Sequence, residues 1–176
     1  MTDGRRIAAG IARLVGLLVL AVALQAILTS RFTLLGVTAD LFVILTVLVG
    51  LTRGSLIGGV LGFVAGLLAD MVFLDPIGLH ALIYLVTGYA IGRYAEWLPP
   101  LSAWAVVAAA AAATLGSQFA YAVFQLLTGG GASFFGMLWV QVLPSALVNG
   151  LVAAPLYLGL VRLRLIRRLD AVHAVR

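Results

Sequence analysis

Six stretches of mainly apolar residues, each long enough to cross a bilayer, follow one another along a chain of 176 residues. They are Ile7–Leu28, Leu34–Thr52, Gly54–Leu74, Leu79–Trp97, Leu101–Leu127 and Phe134–Leu163. Short breaks separate them: Ser30-Arg31, Arg53, Asp75-Pro76-Ile77-Gly78, Pro99-Pro100, and the run from Thr128 through three glycines to Ser133. Composition leaves only one solvent for such a chain. It is 64% hydrophobic and 10% charged, against about 45–50% and about 25% for a soluble domain. In water the surplus apolar surface would drive aggregation; in a bilayer it faces lipid.

Helices, not strands, fill these stretches. Lipid offers no hydrogen bonds to unpaired backbone groups, so only helices or closed barrels span it. A barrel strand alternates apolar and polar residues. Leu17–Leu24 and Ala103–Ala113 do not. The expected fold is an all-α membrane protein, a compact bundle of six transmembrane helices forming one polytopic domain over residues 1–176. The first stretch, preceded by Arg5, Arg6 and Arg13, has the charge of a signal peptide but exceeds a typical signal core. It is expected to remain as a helix. Pro144 and Pro155 predict kinks in the sixth span.

Arginine sets the orientation. There is no lysine. With the N-terminus in the cytoplasm, ten arginines fall on the inner side and only Arg31 outside. That bias predicts a plasma-membrane protein with both termini cytoplasmic. The short basic clusters argue against nucleic acid as the partner of this net +5 chain. Arg162, Arg164, Arg167 and Arg168 form a cytoplasmic basic anchor that would touch anionic membrane lipids.

Two features stand out within the spans. Gly54, Gly58, Gly62, Gly66 and Asp70 recur every four residues in the third span, and Gly88 and Gly92 continue the pattern of His80 and Tyr84 in the fourth. Residues four apart share a helix face. A face of glycines lets another helix approach closely in lipid, either a neighbour in the bundle or a helix of a partner. Gly62→Leu or Gly66→Leu should block that approach and abolish complex formation. The second feature is a candidate outer polar cluster of Asp40, Asp70, His80 and Tyr84, with Gln25, Gln118, Gln125 and Gln141 in the same half. An intramembrane carboxylate is costly, so it takes a partner or a role. Asp70 is expected to accept from His80 or Tyr84, and the polar residues are expected either to converge on an outward pocket or to sit singly near headgroups.

Enzyme chemistry finds no purchase. No cysteine exists, and no zincin, nucleophile-elbow or P-loop motif occurs. No catalytic residue, cofactor or metal is expected.

The run Gly62-Phe63-Val64-Ala65-Gly66-Leu67-Leu68-Ala69-Asp70, then Leu74-Asp75-Pro76-Ile77-Gly78-Leu79-His80-Ala81-Leu82 and Gly88-Tyr89-Ala90-Ile91-Gly92-Arg93, resembles the bacterial rod shape-determining MreD family. Leu143-Pro144-Ser145-Ala146-Leu147-Val148-Asn149 fits that pattern. The family often has a proline before the Asp-Leu pair; here Ala39 precedes Asp40-Leu41. The resemblance implies a non-enzymatic scaffold of the cell-wall elongation complex, with MreC as direct partner and RodA, a class B penicillin-binding protein and MreB in the wider assembly. It also implies an architecture similar to the S components of energy-coupling factor transporters, so the alternative function is a vitamin-binding S component. Against that stands the lack of clustered aromatic and convergent polar groups in the outer loops.

Overall fold

Asp40 decides where the second helix begins. The computed structural model describes residues 2–31, 34, 36–97, 103–129, 136 and 138–163. Among these residues run the α-helices α1 (Thr2–Arg31), α2 (Leu41–Arg53), α3 (Ser55–Phe73), α4 (Leu79–Ala95), α5 (Ala103–Leu127) and α6 (Leu143–Arg162), with a π-helical turn at Leu138–Val142 before α6. The protein is all-helical, as its sequence predicts. Among the described residues, three helical segments are long and apolar enough to cross a membrane: Ser55–Phe73, Trp104–Leu127 and Leu138–Arg162. Ala12–Leu28 and α2 are shorter apolar helices.

The second span is shorter than expected. Leu34 and Val37 exchange two backbone hydrogen bonds of 2.8 and 3.0 Å around Gly36, whose φ of 80° suits glycine. Helix starts only after Asp40, whose Oδ1 accepts from the N–H groups of Phe42 at 2.9 Å and Val43 at 3.1 Å. This is an N-cap: a carboxylate satisfying donors that have no partner within the helix. Thirteen residues give a rod of about 20 Å, short of the bilayer's about 30 Å of hydrocarbon. The helix tolerates this because protein surrounds it. Every residue from Leu41 to Thr52 is buried, and α2 contacts α1, α3, α4, α5 and α6. Periodicity could not announce this, since a helix apolar on all sides reads the same whether lipid or protein encloses it.

Gly54 is the joint between α2 and α3. With φ 88° and ψ 179° it occupies a region open essentially to glycine alone, so one residue suffices to reverse the chain. Its place in the four-residue series is therefore at a turn and not on the face of α3.

The remaining glycines bring α2, α3 and α4 into backbone contact. A Cβ on Gly58 would stand 2.6 Å from the carbonyl oxygen of Gly88 and 2.7 Å from the Cα of Gly50. One on Gly62 would strike the carbonyl of Tyr84, and one on Gly66 the carbonyl of His80. Gly92 packs on Ser55, 2.5 Å from a would-be Cβ to the serine Cα. The glycine face is thus filled by α4. A partner's helix could reach it only by displacing α4.

Beyond the last residue of α4, Glu96 fastens this end of the α3–α4 pair. Its Oε1 accepts from the N–H and hydroxyl of Ser55 at 2.9 and 2.8 Å, and Arg93 donates to its Oε2 at 3.0 Å. Arg93 also lies 5.4 Å from the Trp97 ring centroid.

Pro144 occupies the second position of α6, where the backbone passes from the π turn into α-helix. Its missing donor removes the bond that would tie it to the preceding turn. Helix α6 runs on through Pro155. Arg162 ends α6, while Arg164, Arg167 and Arg168 lie outside the described residues.

Candidate functional site

All four residues of the expected polar cluster lie at one end of the bundle, around the start of α2. Three helices send polar side chains to that point. From α1, Gln25 accepts from the Leu41 N–H at 2.9 Å and donates to the Ala39 carbonyl at 3.0 Å. From α6, Asn149 accepts from the Asp40 N–H at 2.8 Å and donates to the Thr114 hydroxyl of α5 at 3.0 Å. From α4, the Tyr84 hydroxyl donates to Asp40 Oδ2. Each bond satisfies a polar group that has no partner within a helix. The non-helical backbone before α2 is thus partnered by protein side chains.

Asp70 organises the neighbouring turn. It is 1% exposed. Its Oδ1 accepts from the backbone N–H and ring Nδ1 of His80, both at 2.9 Å, and its Oδ2 from the Gly78 N–H at 2.7 Å. Three N–H donors match an ionised carboxylate. Of the two partners expected for Asp70, His80 is the one it meets; Tyr84 turns to Asp40. Asp75 adds a second carboxylate, 3.7 Å from His80 Nδ1, and accepts from the Tyr121 hydroxyl at 2.8 Å. The His80 ring stacks on Tyr121 with centroids 5.3 Å apart. It meets the Tyr84 and Phe73 rings edge-on at 5.4 and 5.8 Å.

These groups border a cavity of about 430 Å³. Asp40, Asp75, His80 and Tyr121 line it together with Gln25, Gln118, Gln141 and Ser145. Of the polar residues singled out in the sequence, Asp40, His80, Gln25, Gln118 and Gln141 share this wall, while Asp70 and Tyr84 are not among its lining residues. Gln125 is not on the cavity wall. Tyr121 was absent from the sequence prediction. Its only signal was its position three residues after Gln118, on the same face of α5.

Chemically, the arrangement serves as a set of ties. Asp40 and Asp70 each hold three donors inside the bundle, and Asp75 holds Tyr121. Among the described residues, no group of three or more His, Cys, Asp or Glu side chains is placed to hold a metal ion. Asn149→Ala is expected to orphan the Asp40 N–H and leave the Thr114 hydroxyl, which still donates to the Ala110 carbonyl, without its donor, costing about 1–3 kcal/mol. Detergent-micelle unfolding checks this; a neutral substitution would show that the contact does not hold α6 to α2.

A family model described as rod shape-determining protein MreD matches residues 8–165. No curated protein and no solved structure gives a significant match.

Proposed function

Since the chain belongs to the rod shape-determining MreD family, we propose that it is a non-enzymatic scaffold of the bacterial wall-elongation complex. It binds MreC and helps position lateral peptidoglycan synthesis, in company with RodA, a class B penicillin-binding protein and MreB. Membership of the family carries a role in determining cell shape; the match over residues 8–165 is the observation on which the proposal stands. The chemistry of the polar end supports a scaffold, because Asp40, Asp70 and Asp75 are all engaged in holding helices together.

The orientation proposed is multi-pass in the plasma membrane with both termini in the cytoplasm, on the ten-to-one distribution of arginine. The cavity at the Asp40 end then opens outward, and Arg53, Arg93 and Arg162 lie inward. Within this reading, the glycine face serves helix packing, and partner contact falls on surfaces that α4 leaves open.

One observation favours a second reading. A cavity of about 430 Å³ with several polar groups on its wall falls in the size range of small-molecule sites, which suits an S component of an energy-coupling factor transporter. Co-purification from native membranes separates the two. Recovery of an MreC-like protein in stable proportion is the expected result. A tightly bound vitamin with no such partner would overturn the scaffold reading, and a C-terminal reporter found outside the cell would overturn the orientation.

A further inference from the structure

At the opposite end from the polar cavity, α1 and α3 diverge and leave a groove of about 710 Å³. Leu18 and Leu61 form its buried floor, while Leu56 and Val60 stand at its edge, 75% and 67% exposed. Arg53 is part of the wall at the membrane-surface end, beside Gly10 of α1; a Cβ on that glycine would lie 3.9 Å from the Arg53 Nη1. The groove is otherwise apolar.

Its depth indicates what fills it. From Gly10 to Leu18 on α1, and from Leu56 to Val64 on α3, the lining covers about 12 Å of helix. One leaflet contributes about 15 Å of hydrocarbon, half of the bilayer core. A transmembrane helix of another protein needs a seam through both leaflets. An acyl chain needs a slot one leaflet deep, with its headgroup where Arg53 sits. We propose that this groove is a binding site for an anionic phospholipid, its acyl chain between α1 and α3 and its phosphate on Arg53.

A guanidinium carries five N–H donors in a planar fork that matches phosphate oxygens, so it can hold a phosphate and a protein contact at once. Basic positions between helices at the cytoplasmic face are where anionic headgroups collect. The site depends on the orientation proposed above only for which leaflet supplies the lipid. The selectivity itself does not, so the two ideas fail separately.

Native mass spectrometry of the detergent-purified protein, titrated with phosphatidylglycerol or zwitterionic phosphatidylethanolamine, tests it. Wild type should retain phosphatidylglycerol preferentially. Arg53→Gln should lower its affinity by about fivefold, the loss of one arginine–phosphate attraction, and lower that of phosphatidylethanolamine, whose ammonium offsets the same phosphate charge, by less. Val60→Trp fills the groove from an exposed position and should weaken both lipids. Unchanged melting of each variant shows that the fold is retained. Equal retention of the two lipids by wild type, or phosphatidylglycerol binding unaltered in either variant, would overturn the proposal.

Discussion

Gly62→Ala and Gly66→Ala are each expected to destabilise the protein by about 3 kcal/mol or more, at the upper end of overpacking costs. The added methyl has no void to enter. At both positions it meets a backbone carbonyl of α4, of Tyr84 or His80, and at Gly62 the Thr46 side chain stands 2.9 Å away as well. A carbonyl cannot swing aside as a side chain can, so α3 and α4 must separate along their length. Gly116 and Gly159 provide the comparison, for nothing lies within 4 Å of a Cβ there. Alanine at either should stay within about 1 kcal/mol of wild type. Unfolding in mixed micelles compares the four; equal effects would show that the α3–α4 approach is looser than described. The bulkier Gly62→Leu and Gly66→Leu should also lose complex formation, but through loss of the α3–α4 pair. A partner assay on these variants must therefore be accompanied by a measure of folding.

The second large effect is expected at Asp40. Asp40→Ala removes the cap of α2, a loss of about 1–2 kcal/mol. It also leaves the Tyr84 hydroxyl, on a residue 2% exposed, without its acceptor, a further loss of about 1–3 kcal/mol. Asp40→Asn keeps an oxygen for the Phe42 and Val43 amides and should cost much less. The double variant Asp40→Ala/Tyr84→Phe should be more stable than the sum of the single effects allows, by about 0.5–3 kcal/mol. Strict additivity would show that the contact with Tyr84 does not bind α4 to the start of α2, and equal losses for alanine and asparagine at position 40 would show that the cap does not hold the start of α2.

The second prediction concerns α2, and the position of that helix marks what sequence could and could not tell. Apolar length and the refusal of lipid to bond backbone determined the helical class and the number of helices. Four-residue glycine spacing determined that α3 offers a face for close approach, and the alternation of the spans pointed to one end of the bundle as the place where polar residues gather. Those properties are local or periodic, and one strand of text carries them.

Which surface meets which did not follow. Leu41–Thr52 is as apolar as a lipid-facing span, yet it is wholly buried, because five other helices enclose it. Within Leu34–Asp40, Gly36 and Asp40 permit a break; it is sustained because Gln25 lies 16 residues before Leu41 and Asn149 lies 109 after Asp40, and both satisfy backbone that would otherwise need a helix. Tyr121 joins the cavity only once α5 lies beside the turn at Asp75. Sequence supplied the donors, acceptors and glycines. The tertiary structure decided their pairing, since in a medium without water each polar group is fixed by whichever distant partner the packing brings within reach.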